Sequence, residues 1–169
     1  MIIMVIGIIG FLHLIHTPLL VLFPFVVQNF TSDILYLIYF FSIMFLYTFI
    51  NGECPISYIC KVINDKKYIA GSNITYYPEM EYVLQKRINV EYYFGIMTFL
   101  YISVLFIVIF RTNTFSYLLI FTFGILLIYY FFIRNQVSQK KRINFIIVQE
   151  ITKYVLFFTI FYFLLLLSF

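Results

Sequence analysis

The sequence predicts an all-α fold, a polytopic membrane bundle of about five transmembrane helices that forms a single membrane domain over residues 1–169. Hydrophobic residues make up 64% of the chain and charged residues 11%, whereas a soluble domain carries about 25% charged residues. Several apolar runs approach or reach the roughly 20 residues that a helix needs to cross a bilayer. The basic residues also gather on one side of the predicted membrane.

The first span covers residues 2–23. Its 22 positions give a helix of about 33 Å, which matches a hydrocarbon core of about 30 Å. Four residues interrupt the apolar run: His13, His16, Thr17 and Pro18. We expect Pro18 and Pro24 to kink or end this helix, because proline removes a helical hydrogen bond. No basic residue precedes the run, which indicates a retained span and not a cleaved signal peptide.

The second span covers residues 34–50 and is expected to form a helical hairpin with the first. Ser32 or Asp33 is predicted to be its N-cap, because these side chains accept hydrogen bonds from free backbone N–H groups. Asn51-Gly52 supplies a stop at its carboxyl end.

Residues 51–91 form the one long polar segment of the chain. Pro55 is placed to begin a short helix, and its apolar residues repeat at helical spacing, which predicts an interfacial helix lying on the membrane. They are Ile56, Ile59, Val62 and Ile63. Asn64-Asp65 and Gly71-Ser72 are typical of turns. A further helix should open at Pro78-Glu79, with acidic residues early and Lys86-Arg87 late, as the helix dipole favours.

The remaining apolar runs predict spans at residues 92–110, 115–133 and 145–169, with a basic loop at 134–144. Five spans place ten of the eleven lysine and arginine residues on the side of residues 51–91 and 134–144, with Arg111 alone opposite. The excess of basic residues in cytoplasmic loops then puts the amino terminus and both loops on the cytoplasmic or matrix side. The carboxyl terminus is predicted to lie on the opposite side.

Cys54 and Cys60 are the two cysteines of the chain, and this topology places both on the reducing side, where disulfides are rare. Their C-x5-C spacing does not match a zinc or thioredoxin motif. We predict no metal site, because the two histidines lie in the first span and tetrahedral zinc needs four ligands. A structural role is expected for the two cysteines, and redox or metal chemistry is the alternative.

His13 and His16 are three residues apart and share one face of the first span. Ionisable groups inside a membrane are costly and often mark functional sites. Ligand binding, a haem or quinone contact and a proton relay are therefore open interpretations. The alternative is a hydrogen bond to a neighbouring helix, with candidate partners at Tyr39, Ser42, Thr98 and Ser103. No cofactor is predicted, since haem usually needs a second axial ligand on another helix, but haem and quinone are left open.

Other ionisable residues have simpler expected roles. We expect Asp33 to act in N-capping, and Glu150 and Lys153 to form an i, i+3 pair. Glu53 could neutralise the basic loop or bind a partner.

The chain shows no activated nucleophile, no phosphate-binding glycine loop and no paired catalytic carboxylates. It also lacks the basic patch with interleaved aromatic residues that nucleic-acid binding requires. We therefore expect a non-enzymatic structural or accessory subunit of a viral, organellar or bacterial membrane assembly, whose partners are the lipid bilayer and other membrane subunits. The alternatives are a ligand-binding protein that uses His13 and His16, and a membrane thiol enzyme that uses Cys54 and Cys60.

The segment Cys54-Pro55-Ile56-Ser57, which follows two spans, resembles a family of small multispan membrane proteins of unknown function. Its bacterial members carry Cys-Pro-Leu-Thr after a helical hairpin, and similar proteins occur in large DNA viruses. The likeness continues to Tyr68 and Gly71. Family members carry a glutamate three residues after the threonine, where this chain has Cys60. The resemblance implies a hairpin architecture and the motif Cys54, Pro55, Ser57 and Cys60, without implying an activity.

Overall fold

The computed structural model describes residues 2–74, 76–85, 89–134 and 142–168, which form seven α-helices and contain no β-strand. The helices are α1 (Ile2–Val26), α2 (Phe30–Phe49), α3 (Pro55–Asn64), α4 (Pro78–Leu84), α5 (Val90–Thr112), α6 (Tyr117–Arg134) and α7 (Arg142–Ser168). The predicted all-α fold is confirmed.

By length and composition, four helical segments can cross a membrane: Met4–Val26, Phe30–Phe49, Val90–Thr112 and Phe145–Ser168. A fifth apolar segment, Tyr117–Ile133, is shorter. Many large apolar side chains on these helices are exposed, including Leu12 and Phe99. A surface of this kind is stable in lipid and unfavourable in water, so the structure supports a helical membrane protein.

The helix ends differ in detail from the predictions. Helix α1 continues through Pro18 and Pro24 and ends at Val26. Asn29, and not Ser32 or Asp33, is the N-cap of α2, because its side chain accepts a hydrogen bond from the backbone N–H of Ser32 at 2.9 Å. The predicted stop after α2 is confirmed, since Asn51 and Gly52 both have positive φ angles, of 55° and 84°.

The polar segment has the predicted short helices. Helix α3 begins at Pro55 and α4 begins at Pro78, each with proline in its first turn. Lys86-Arg87 and positions 135–141 of the basic loop lie outside the described residues. Helix α7 begins at Arg142, three residues before the predicted start of the last span.

The chain divides into two compact units. The first consists of residues 1–28 and 53–108, in which α4 packs along α1 and α3 contacts both helices. The buried face of α1 repeats at helical spacing through Ile6, Gly10, His13 and Thr17. A Cβ atom at Gly10 would lie 2.1 Å from the backbone oxygen of Glu79, so the absence of a side chain at Gly10 allows α4 to approach α1.

The second unit consists of residues 29–52 and 109–169, in which α7 packs against α2 and α6. Phe41 of α2 stacks on Phe163 of α7, with ring centroids 5.7 Å apart. The hydroxyl groups of Thr122 and Thr159 are 2.8 Å apart and join α6 to α7. Buried hydroxyl contacts of this kind can hold apolar helices together in lipid, where apolar burial alone gives little driving force.

Candidate functional site

A buried polar cluster lies in the first unit where α1, α3 and α4 meet. We call it the His13 site, and it consists of His13, Cys54, Ser57 and Glu79. His13 projects from the buried face of α1, Glu79 lies in the first turn of α4, and Cys54 and Ser57 lie at the start of α3. The exposed fractions of His13, Cys54 and Glu79 are 6%, 8% and 0%.

His13 joins the other members of the site. Its Nδ1 atom is 3.1 Å from Oε1 of Glu79, and its Nε2 atom is 3.6 Å from Sγ of Cys54. The hydroxyl of Ser57 donates a hydrogen bond to the same Glu79 oxygen. The imidazole therefore lies between a carboxylate and a thiol, and Phe94 packs on it with ring centroids 5.4 Å apart.

These contacts determine the tautomer of a neutral His13. A carboxylate can only accept hydrogen bonds, so Nδ1 carries the hydrogen that it donates to Glu79. Nε2 then has a free lone pair directed at the Cys54 thiol. This is the order of groups in which a carboxylate orients an imidazole and the imidazole takes a proton from a nucleophile.

The start of α3 adds a second electrostatic effect. Cys54 is the N-cap of α3, and Pro55 occupies its first helical position. The amino end of a helix carries partial positive charge, which favours a thiolate over a thiol. Cys54 thus has a nearby base and lies at the positive end of a helix.

A second polar cluster, which we call the Lys61 clamp, consists of Glu53, Lys61, Tyr68 and Asn73. The ammonium group of Lys61 donates to Oε1 of Glu53 at 3.1 Å and to the backbone oxygen of Asn73 at 2.5 Å. Tyr68 donates its hydroxyl hydrogen to the same Glu53 oxygen. Lys61 and Glu53 are both buried, and their opposite charges offset the cost of burying either alone. The clamp fixes the loop that follows α3 against the start of that helix.

The cysteines differ in their surroundings. Cys60 lies on α3, fully buried, and its burial together with the negative charges of Glu79 and Cys54 raises the pKa of its thiol to about 12. Burial raises the pKa of Tyr77 to about 12, with further contributions from Cys54, Glu79, Glu91 and Glu53. Cys60 and Tyr77 therefore stay protonated at neutral pH.

Two carboxylate oxygens in this region are buried with no hydrogen-bond partner among the described residues, Oε2 of Glu53 and Oε2 of Glu79. Buried polar atoms are nearly always hydrogen-bonded. Within the described part of the chain, no group of three or more His, Cys, Asp or Glu side chains is arranged to hold a metal ion.

Some of the site residues predicted from the sequence belong to the His13 site, and the others lie next to it. The structure brings His13, Cys54 and Ser57 together, while Pro55 begins α3 and Cys60 is buried beside the site. His16 is half-buried one turn further along α1. His13 meets Glu79 of α4 and Cys54 at the start of α3.

Sequence reasoning missed Glu79 as a member of the site. An acidic residue in the first turn of a helix is explained by the helix dipole, so its burial was not expected. The spacing Gly7-x-x-Gly10-x-x-His13 could have indicated it, because small residues in line with a histidine mark a helix face that another backbone approaches closely.

Two other predictions concern charged pairs. Glu150 and Lys153 form the predicted pair, with Lys153 Nζ 2.6 Å from Glu150 Oε1. The capping role of Asp33 was wrong: its carboxylate is 2% exposed and accepts hydrogen bonds from Nε of Arg111, at 2.7 Å, and from Nη2. Such a bidentate pair is the strongest geometry for arginine and a carboxylate.

Comparisons with protein-family models, with curated proteins and with solved structures gave no match to the chain.

Proposed function

We propose that the chain is a membrane enzyme of the thiol class, in which Cys54 is the nucleophile, His13 the general base and Glu79 the residue that orients the imidazole. The contact of Cys54 Sγ with His13 Nε2 at 3.6 Å, completed by Glu79 at 3.1 Å, carries this proposal. The sequence favoured an accessory role because it showed no activated nucleophile. The buried carboxylate–imidazole–thiol arrangement supports one.

The arrangement suits acyl-group transfer. Cys54 gives its proton to His13, and the thiolate attacks the carbonyl carbon of an ester or thioester. The bond to the leaving group breaks, and the leaving group takes the proton from His13. The acyl group stays on Cys54 as a thioester until a second acceptor, deprotonated by His13, attacks it and releases the thiol.

The geometry favours a single reactive thiol over a pair that cycles through a disulfide. Positions 54 and 60 are about 9 Å apart along a helix axis, whereas a disulfide needs Cα atoms within about 7 Å. Joining them would unwind the first turns of α3. The raised pKa of Cys60 also leaves it a poor nucleophile.

We further propose five membrane crossings, with the amino terminus, the segment 51–91 and the loop 134–144 on the cytoplasmic or matrix side. Helix α6 has 18 residues and a length of about 27 Å, which is sufficient with small local thinning of the bilayer. The distribution of basic residues supports this orientation.

Alkylation of the purified protein in lipid nanodiscs tests the proposed nucleophile. Iodoacetamide, a small uncharged electrophile, should modify Cys54 much faster than Cys60, as measured by mass spectrometry of the digested protein. His13→Gln should slow the reaction at Cys54 by roughly a hundredfold, the scale of general-base effects. His16→Gln, on the same helix, is the control and should leave the rate unchanged. Equal rates at the two cysteines, or no effect of His13→Gln, would refute the proposal.

A second candidate function is the binding of a small ligand with N–H or O–H donors. The buried oxygens Oε2 of Glu53 and Oε2 of Glu79 favour it, because a donor would satisfy atoms that have no partner among the described residues. Cys54→Ala separates the two functions, since it removes the nucleophile and keeps both carboxylates. If the biological activity of the protein survives Cys54→Ala, the ligand-binding function is favoured over the thiol function.

The accessory-subunit role stays a prediction. Copurification in mild detergent followed by mass spectrometry tests it, because an accessory subunit should retain specific partner proteins.

A further inference from the structure

Helix α3 is amphipathic in the opposite sense to a helix of a soluble protein. Its buried side carries Ser57, Cys60 and Lys61, while Ile59 and Ile63 are 53% and 38% exposed. Ile59 and Ile63 are four residues apart and therefore lie on one face. In water such a helix would turn its isoleucines inward, so the outer face of α3 suits an apolar environment.

Two exposed lysines follow this face directly. Lys66 and Lys67 come after the end of α3 at Asn64 and are both exposed. The Lys61 clamp holds the loop that contains them against α3, through the bonds of Lys61 and Tyr68 to Glu53. An apolar helix face that is followed along the chain by lysines is a pattern that binds anionic membrane surfaces.

We propose that Ile59, Ile63, Lys66 and Lys67 form a docking surface for the anionic phospholipids of the leaflet on that side. Helix α3 contacts α1, which is one of the helices long enough to span the membrane, so a bilayer around α1 lies close to this surface. The isoleucines enter the boundary between headgroups and acyl chains, and the lysines contact phosphate groups.

Docking of α3 on lipid should also affect the reactivity of Cys54. This part of the inference depends on the proposed thiol function. Cys54 caps the same helix that carries the docking surface on its other face. Lipid that holds α3 in place therefore holds Cys54 against His13. Anionic lipid should then increase the reactivity of Cys54, whereas neutral lipid should support it less.

The chain contains no tryptophan, so one introduced tryptophan reports a single position without changing either cysteine. Ile59→Trp is the probe, and Asn64→Trp, at the exposed end of α3, is the matched control. Each variant is placed in nanodiscs of phosphatidylcholine alone, or of three parts phosphatidylcholine to one part phosphatidylglycerol. Fluorescence quenching is measured with aqueous iodide and with lipids brominated on their acyl chains.

Ile59→Trp should be quenched by brominated lipid and protected from iodide, while Asn64→Trp should show the reverse. Phosphatidylglycerol should increase the protection of Ile59→Trp from iodide. The double substitution Lys66→Gln with Lys67→Gln should remove that increase. Each lysine should contribute roughly a fivefold change in the docking equilibrium constant. Strong iodide quenching of Ile59→Trp in both lipids would overturn the proposal, as would protection that is insensitive to phosphatidylglycerol and to the lysines. Far-ultraviolet circular dichroism confirms that each variant is folded.

These measurements do not involve the reaction of Cys54. If the tryptophan probe docks and Cys54 is unreactive, the docking surface is supported and the thiol function is refuted. A reactive Cys54 with an undocked probe would do the opposite.

Discussion

The His13 site brings together polar side chains, each of which would cost free energy to bury alone. A lone buried charge costs several kcal/mol, yet Glu79 is fully buried inside an apolar protein. Hydrogen bonds from His13 and Ser57 offset part of this cost. Helix α4 brings Glu79 to the site only because glycine at position 10 allows the close approach.

Gly10→Ala should therefore displace α4 and destabilise the first unit. The added Cβ would meet the Glu79 backbone oxygen at 2.1 Å, and backbone cannot shift as easily as a flexible side chain. We expect a loss of about 3 kcal/mol, typical of severe overpacking, measured by thermal unfolding in detergent. Gly95→Ala is the control: its Cβ would meet nothing within 4 Å, so it should be neutral or stabilise α5 by up to about 1 kcal/mol.

The thiol of Cys60 predicts a dependence of stability on pH. Its pKa is raised from 9.0 to about 12 in the folded protein, chiefly by burial and then by Glu79 and Cys54. A raised pKa means that the folded state keeps a proton which the unfolded state loses, so this contribution is complete below pH 9 and is lost as pH rises toward 12. At pH 10 the loss should be about 1.4 kcal/mol.

The comparison of wild type with Cys60→Ser isolates this contribution, because serine does not titrate in the range. Thermal unfolding at pH 7 and pH 10 should show a smaller decrease in stability for the variant. An identical decrease for both proteins would contradict the assignment.

At the scale of helices, the ion pair of Asp33 and Arg111 joins the start of α2 to the end of α5 within the second unit. Arg111→Leu removes the partner of a carboxylate that is 2% exposed, which should cost roughly 3 kcal/mol. Glu150→Gln removes a pair whose carboxylate is 49% exposed, and exposed pairs contribute about 0.5 kcal/mol. Thermal unfolding should thus separate the two variants clearly, and equal losses would show that the Asp33 pair is not buried in the membrane protein.

The helices and three members of the site, His13, Cys54 and Ser57, could be predicted from the sequence, but Glu79 and the pairings within the site could not. Apolar runs and the residues Asn51-Gly52, Pro55 and Pro78 mark helix positions by local chemistry, and the structure has helices at each predicted position. Pairings such as His13 with Glu79, 66 residues apart, depend on which helices pack together. A sequence pattern indicates which face of a helix is buried, but it does not indicate which other helix packs against that face. Asp33 shows the same limit, since its capping role was argued locally and its partner Arg111 is 78 residues away.

At the scale of the whole molecule, large apolar side chains such as Leu12 and Phe99 are exposed, which suits a lipid environment and not water. Helices α1, α2, α5 and α7 supply segments long enough to cross the bilayer, so the number of crossings depends on α6. Its apolar part, Tyr117–Ile133, falls short of the usual length, although an 18-residue helix of about 27 Å spans a slightly thinned bilayer.

A reporter fused after Phe169 distinguishes the two topologies. If α6 crosses, five spans place the fusion on the side opposite the segment 51–91, and a phosphatase reporter there should be active outside the cytoplasm. If α6 lies along the membrane, four spans return the fusion to the cytoplasmic side, where a fluorescent protein should mature. A second reporter inserted after Lys67 provides the reference, because in the proposed orientation both topologies place it on the cytoplasmic side. Fluorescence from both fusions would therefore exclude five crossings.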